Sequence, residues 1–423
     1  MKALVLAGGF PQIELIRQLK EKSIEVLLAD YNENPVAKQY ADQYYQVSTL
    51  DVEAITNVAR SEQVDFLITV CTDQALLTVA KVSELLGLPC YIDYATALNV
   101  TNKQYMKDVF VKAGIPTAKH VIRDRLDEVE IRSMDFPLIV KPVDCNSSKG
   151  VRKVETPDEL REAFTAAVNF SRTNTAVVEE YIKGAEITVD VYVEDGQAHV
   201  LSISNSDKIA EADKFVIFRT IQPAAINEGV KAQVAVIAQQ IADAFGIVNS
   251  PMLIQMLTDG ERAYVIEFSA RTGGGVKHLL IKHVSGFDVV KAVVDLTLGD
   301  KPHVAKESSQ TKYLVNDFIY CNPGVYDHFE GFEELQAEGY LQDYYIFKWK
   351  GARFDGVKSS GDRVGGYTVT ADTLDELIAK HKEVRRRIKV IDDQGHDMIR
   401  HDLLTALKTD GEFIYSETGS VLQ

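Results

Sequence analysis

The first ninety or so residues alternate short apolar runs with stretches of helical period. KALVLAG (2–8) is the first run, and a helix-period stretch covers 13–20. EVLLAD (25–30), FLITV (66–70) and YI (91–92) read as further strands. A helix is predicted over 51–60. Another follows Thr72 or Asp73, which caps it, with Leu76, Leu77 and Ala80 on one face. Such alternation predicts a parallel sheet with helices on both faces.

From about residue 95 to 306 the pattern changes. Helices near 102–113 and 157–168 are interleaved with PLIVKP, AVVEEYI, ITVDVYV and AYVIEF. These strands alternate apolar and polar positions, as half-buried antiparallel strands do. From about 311 a third region carries FIYCNPG, DYYIFKWKG, GGYTVTA and a charged helix over 373–387. The expected division is 1–95, α/β; 96–308, an α+β nucleotide-binding module; and 309–423, a third lobe. No internal repeat or low-complexity segment interrupts it.

Composition adds limits. A chain of 423 residues exceeds the usual single-domain size, and 46% hydrophobic residues suffice for more than one core. The 46 Lys and Arg against 62 Asp and Glu give a formal charge of −16, which argues against general nucleic-acid binding. Cys71, Cys90, Cys145 and Cys321 form no CxxC pair, which suits a reducing cytoplasm and offers no zinc framework. The nine histidines show no HExxH spacing, and no apolar run approaches the ~18 residues of a membrane span. The apolar start is too short for a secretory core and reads as a buried strand.

Four segments carry candidate chemistry. LAGGFPQ invites a dinucleotide reading, with Asp30 where a ribose-binding acid would sit. The GxGxxG pattern is incomplete, however, and a tight strand-to-helix turn with Pro11 in the first helical turn is the simpler reading. FPLIVKPVDCNSSKGV (136–151) delivers Lys141 from an apolar strand into a loop of small residues. Polyphosphate needs positive charge and clustered donors. Lys141 and Lys149 supply charge, while Ser147, Ser148 and Gly150 allow close approach; a hairpin with surface lysines is the alternative. In VVEEYIKGAEITVDVYV, the Glu179-Glu180-Tyr181-Ile182 exit can offer backbone groups to adenine and Glu186 can bind ribose hydroxyls, unless both acids simply face solvent.

LIQMLTDGERAYVIEFSARTGGG (253–275) reads as two strands joined by a turn at Asp259-Gly260. Glu267, Ser269 and Arg271, at i, i+2 and i+4, fall on one strand face. Oxygen ligands on adjacent strands, Gln255 and Glu267, suit Mg²⁺, which takes few protein ligands. Arg271 can hold a phosphoryl or carboxylate group on two prongs, and Gly273 to Gly275 clear space. Glu267 lies inside an otherwise apolar strand, so a buried metal ligand is expected rather than a charged edge.

Together these segments resemble the ATP-grasp superfamily, in particular carbamoyl phosphate synthetase modules, biotin carboxylase and the amino-acid ligases. The resemblance spans nearly the whole chain. It implies a Rossmann-like pre-ATP-grasp domain over 1–95, an ATP-grasp domain over 96–308, and a biotin-carboxylase-like C-terminal lobe over 309–423. TNKQYMKDVFVKAGIPTAKH (101–120) and GDRVGGYTVTADTLDELI (361–378) match in style. It implies that Lys103 and Lys141 contact ATP phosphates beneath a 145–150 flap. Glu179 to Ile182 then line the adenine pocket and Glu186 holds the ribose. Gln255 and Glu267 bind Mg²⁺, and Arg271 stabilises the transferred phosphoryl. Ser269 stands where the family's metal motif usually has Asn, which weakens a second metal site. The flap is also less glycine-rich than many.

The implied activity is ATP-dependent carboxylate–amine ligation through an acyl phosphate, releasing ADP and phosphate. Small-molecule carboxylate and amine are the expected partners, with no nucleic acid or membrane; related proteins are often homodimers. Bicarbonate activation ranks second, because one module is visible, with no glutamine-hydrolysing unit and no MKM biotin-attachment sequence. A non-catalytic nucleotide sensor and a nicotinamide dehydrogenase are the rivals of other classes. The stretch 205–222, with Ser206, Asp207, Lys208 and Arg219, shows no periodicity and reads as mobile. Lys277 and His278 are equally readable as substrate contacts or as solvated residues at a helix start.

Overall fold

The computed structural model describes residues 1–144, 150–209, 216–305, 311–411 and 413–416. Strands β1 (Lys2–Leu6), β2 (Glu25–Asp30), β3 (Gln43–Gln46) and β4 (Phe66–Ile68) form a parallel sheet in the order β3-β2-β1-β4. Each apolar run is buried on both faces. Ala3 and Val5 pack with Leu15, Ile16 and Leu19 of helix α1 (Phe10–Glu21). Leu4 and Leu6 pack with α2 (Val52–Ser61) and α3 (Asp73–Leu86) through Ile55, Ala75 and Val79. The expected strand at 91–92 is a bend instead, and Gln43–Gln46 takes the sheet edge. Its QYYQ sequence lacks the apolar signal that marks buried strands. The Gly8 amide donates to Asp30 Oδ2 at 2.7 Å, so that acid closes the glycine turn, and Pro11 sits in the first turn of α1.

Helices α4 (Tyr94–Thr101) and α5 (Lys103–Ala113), the latter capped by the Asn102 side chain, lead onward. β5 (His120–Arg123), β6 (Leu138–Pro142), β7 (Arg152–Val154) and β8 (Ala176–Glu180) form an antiparallel sheet. The short α6 (Glu128–Arg132) and the longer α7 (Pro157–Phe170) accompany it, and Leu160 and Phe164 of α7 pack on Leu138 and Val140.

The third sheet has eight strands. β9 (Ala185–Glu194), β10 (Gln197–Lys208), β11 (Ile217–Gln222), β12 (Ser250–Thr258) and β13 (Ala263–Ser269) are joined by β14 (Tyr313–Ile319) and two later strands. One face carries Ile187, Val189 and Val191 against Val230, Val234 and Ile241 of α8 (Glu228–Phe245). The other face is polar, because alternate residues of a strand point oppositely. Register aligns Glu267, Gln255, Thr188 and Ser204 across four strands. α9 (Lys277–Ser285) and α10 (Val289–Thr297) follow β13. Val290, Val293 and Val294 of α10 lie in the same core as β1 and α1.

Beyond β14 come β15 (Gly324–Glu330), α11 (Phe332–Ala337), β16 (Asp343–Ile346), β17 (Arg353–Phe354), β18 (Gly365–Ala371), α12 (Leu374–Arg387) and β19 (Lys389–Asp392). β18 and β16 complete the eight-stranded sheet, so it runs without a break across residue 308.

The stretch expected to be mobile is, in its described parts, the paired strands β10 and β11. Phe218, Arg219, Thr220 and Ile221 are all buried, and burial on both faces erases the alternation a sequence would show. Arg219 is 0% exposed. It donates to Asp317 Oδ1 at 2.5 Å and Oδ2 at 2.8 Å, to Ser416 Oγ at 2.8 Å and to the Thr405 carbonyl at 2.9 Å. Tyr367 donates to the same carboxylate at 2.8 Å, and His381 Nε2 of α12 lies 2.8 Å from it. Removing one partner of a buried pair leaves an uncompensated charge, at a cost of ~3–5 kcal/mol. Arg219→Met is therefore expected to lower the apparent stability in denaturant unfolding by about that amount. A midpoint unchanged from wild type would show that the pair does not hold this seam.

Candidate active site

The β12–β13 hairpin turns at Asp259, whose Oδ1 accepts the Glu261 and Arg262 amides at 2.9 and 2.8 Å. This puts Gln255 opposite Glu267 in register. Glu267 is half-buried rather than buried, because it faces the cleft and not the α8 core. Lys103 Nζ, at the start of α5, lies 3.3 Å from Glu267 Oε2. Gln255 Nε2 donates to Glu186 Oε1 at 3.4 Å, and Lys208 of β10 pairs with the other Glu186 oxygen. The carboxylate, amide and hydroxyl oxygens of Glu267, Gln255 and Ser269 form a hard-donor set on adjacent strands, and an ammonium already balances Glu267. That chemistry fits Mg²⁺.

Ser269 and Arg271 meet a group from far away in sequence. Arg271 lies two residues past the end of β13, on a bend, so it is not on the strand face that its spacing suggested. Its Nε donates to Asp73 Oδ1 at 2.6 Å and its Nη2 bonds Asp73 Oδ2. The Ser269 hydroxyl lies close enough to favour the same carboxylate's charge. Burial works against the Asp73 charge, but Arg271, Ser269 and Lys103 together hold its pKa below the ordinary value. Sequence reasoning saw Asp73 only as a helix cap.

On the other wall, Lys141 emerges from β6 and pairs with Glu179 of β8 at 2.5 Å. Lys107 Nζ, one turn after Lys103 on α5, lies 3.1 Å from the other Glu179 oxygen and donates to Thr117 Oγ1 at 2.7 Å. Burial opposes the Glu179 charge, yet the two ammonium groups bring its pKa down to about 2. The Glu179 side chain thus faces the lysines. Lys107 was missed, although its i+4 spacing from Lys103 was a usable signal. Glu180 Oε1 accepts the Lys119 amide at 3.1 Å, and the Tyr181 amide donates to the Pro137 carbonyl at 3.2 Å. Gly184 lets the chain pass β12: a Cβ there would lie 2.1 Å from the Thr258 carbonyl oxygen. Gly150 holds φ +73°, which glycine tolerates best. Ser147, Ser148 and Lys149 lie outside the described residues, as does Cys145.

Beside Glu267 a cavity of about 160 Å³ is lined by Asp73, Gln74, Lys103, Glu267 and Ser269, with Asp144 and Arg172 also at its edge. Removing the Lys141 ammonium forfeits a charged contact worth ~1.5–3 kcal/mol. Lys141→Ala is therefore expected to weaken ATP binding by roughly tenfold or more and adenosine by less than about twofold, measured by calorimetry. Equal losses would assign Lys141 to the fold instead.

Lys277 and His278 are not solvated. Lys277 Nζ donates to Ser204 Oγ at 2.8 Å and lies 3.3 Å from Asp190 Oδ2. His278 is buried beside the Phe10 ring, and burial pushes its pKa down to about 4 against the pull of Glu14 and Asp288. In the unfolded chain it would titrate near ~6.5. The unfolded state therefore binds its proton first, so this stability is complete above about pH 6.5 and drains as pH falls toward 4. His278→Phe is expected to shrink the fall in melting temperature between pH 7 and 5, leaving the part due to buried His381. An unchanged slope would remove His278 from the acid response.

Residues 134–278 match the ATP-grasp domain family, and residues 317–392 match the L-amino acid ligase C-terminal domain 2. A formate-dependent phosphoribosylglycinamide formyltransferase of Ignicoccus hospitalis is 24% identical over 92% of this chain and 96% of its own. A carbamoyl phosphate synthase large chain of Clostridium acetobutylicum is 22% identical over 93% of this chain and 39% of its own. Among solved structures, an L-amino acid ligase from Bacillus licheniformis superposes with a TM-score of 0.76 at 22% identity, covering 93% of this chain and 98% of that one. Biotin carboxylase from Campylobacter jejuni gives 0.76 at 17% identity, covering 95% and 94%. No helix among the described residues is long and apolar enough to cross a membrane. These matches place an ATP-grasp domain at residues 134–278 and support an ATP- and Mg²⁺-dependent ligase of the carboxylate–amine class.

Proposed function

We propose that this chain phosphorylates the carboxylate of a small amino acid with ATP and transfers the resulting acyl group to the amine of a second small molecule. The observation that carries the reading is the grouping of Gln255 and Lys103 about Glu267, with Arg271 two residues past that strand, and Lys107, one turn along α5, joined to Lys141 through Glu179. The amino-acid part rests on the match of 317–392 to the L-amino acid ligase C-terminal domain, which favours it over bicarbonate.

In this reading Lys103 and Lys141 hold the ATP phosphates, with Ser147, Ser148, Lys149 and Gly150 closing over them. The 179–182 exit takes the adenine and Glu186 the ribose. Glu267 and Gln255, with Ser269 beside them, hold Mg²⁺, which supplies charge neutralisation at the phosphates when bound. A carboxylate oxygen attacks the γ-phosphorus as its bond to ADP breaks. The amine nitrogen then attacks the acyl carbon, phosphate leaves, and the amine loses a proton. Arg271 steadies the charge on the transferred group. No protein nucleophile is required; the side chains position and neutralise, worth ~7–11 kcal/mol of barrier when orientation is good. The cytoplasm supplies ATP and keeps the cysteines reduced. A homodimer belongs to the same reading, a dimer being described for the related biotin carboxylase domain of Hydrogenobacter thermophilus.

The test is a panel of L-amino acids offered with Mg-ATP and hydroxylamine. One of them should yield a hydroxamate together with ADP and phosphate, and Glu267→Gln should lose at least about a hundredfold in rate while staying folded. AMP and pyrophosphate as products would move the enzyme to adenylate chemistry. ATP binding without turnover across the panel, and across bicarbonate, would favour a nucleotide sensor.

A further inference from the structure

Asp73 is the first residue of α3, in the parallel-sheet part of the molecule, yet its side chain lines the same cavity as Glu267 and Lys103. It is 198 residues from Arg271 in sequence. Both side chains of this pair are largely withdrawn from water, at 13% and 16% exposure. An Arg guanidinium has five N–H donors. Asp73 takes Nε and one Nη2 hydrogen, and the Thr272 carbonyl takes one from Nη1 at 2.7 Å. Among the described residues no other acceptor holds Arg271, so one hydrogen on each Nη remains for an incoming oxyanion.

Ser269, two residues from Glu267, lines the same cavity as Asp73. The Asp73 carboxylate fixes the side chain at i+4 from the candidate metal acid. The backbone cannot do this alone, because β13 ends at Ser269 and Arg271 sits on a bend. A free arginine there would sample several rotamers, and the Glu267 charge, which also acts on it, would compete for it. The N-terminus of α3 also favours a negative Asp73.

We propose that Asp73 is a positioning residue for phosphoryl transfer: it clamps the side edge of Arg271 and leaves the outer edge aimed at the reacting carboxylate and γ-phosphoryl group. The inference rests on the function proposed above. It makes the parallel-sheet part a contributor to the chemistry, and predicts that Lys will not replace Arg271, since a point-charge ammonium cannot serve two partners on two edges.

The test compares wild type, Asp73→Asn, Arg271→Lys and the double variant, using the amino acid that gives a hydroxamate. Asp73→Asn keeps the shape and removes the charge. It is expected to lower kcat about ten- to a hundredfold while KM for ATP and calorimetric MgADP affinity stay within about threefold. The double variant should be no slower than Arg271→Lys alone, because both changes disable one device. Asp73→Glu, which retains the charge, should recover part of the rate. Wild-type kcat in Asp73→Asn, or losses that multiply in the double variant, would overturn the assignment. So would loss of MgADP binding in Asp73→Asn and Asp73→Glu alike, which would make Asp73 a structural residue. If wild type yields no hydroxamate with any carboxylate, the proposed function itself falls and this inference with it.

Discussion

The Arg219–Asp317 pair is the constraint on which the architecture depends. It joins β11 to β14, and through Tyr367 and His381 it reaches β18 and α12. A guanidinium with no exposure to water needs every surrounding acceptor in place, so these elements are fixed relative to one another or not folded. The eight-stranded sheet is continuous because this junction is. Register then carries one line of buried polar residues, Ser206, Thr220, Asn316 and Thr368, from β10 to β18. Burial of the network pushes the Asp207 carboxyl up, while Arg219 and His381 hold Asp317 well below the usual carboxylate range despite its burial. Two acids within one network thus take opposite shifts, according to whether a guanidinium faces them squarely.

The candidate nucleotide wall uses the same physics for a different end. Glu179 lies between Lys107 and Lys141, with an ammonium on each side. One negative and two positive charges leave a net positive site in a region from which water is largely excluded. Such a site attracts phosphate without requiring two bare ammonium groups to face each other in the absence of ligand. Glu186 between Lys208 and Gln255 plays a similar part on the sheet face. In both places the ligand-facing charge is held by an acid that the ligand does not need to displace.

Much of this was readable beforehand, for local reasons. The apolar runs of β1, β2 and β4 declare a parallel sheet because both faces are covered. Lys141 and Glu267 stand out because each is a charge inside an apolar run, and the turn at Asp259-Gly260 sets the register of Glu267 against Gln255. What was not readable depends on distance. The partner of Arg271 lies 198 residues away and that of Arg219 lies 98 away, and no periodicity connects them. β11 was hidden because burial on both faces removes alternation, and β3 because a polar edge strand has no apolar face to show. Lys277 stayed open between substrate contact and solvated residue because nothing in its own helix reveals that Ser204 and Asp190 receive it.

The core shared by β1, α1 and α10 has a consequence for how the chain is made. Val290, Val293 and Val294 complete the packing against Ala3, Val5, Leu15 and Ile16. These valines leave the ribosome about two hundred residues after the parallel sheet has emerged. At ~5–20 residues per second that interval is roughly 10–40 s. Through it the nascent sheet carries an uncovered apolar strip, the kind of surface that chaperones bind. The molecule's first-made part is therefore among the last to be finished, and its completion waits on the segment that follows the metal strand.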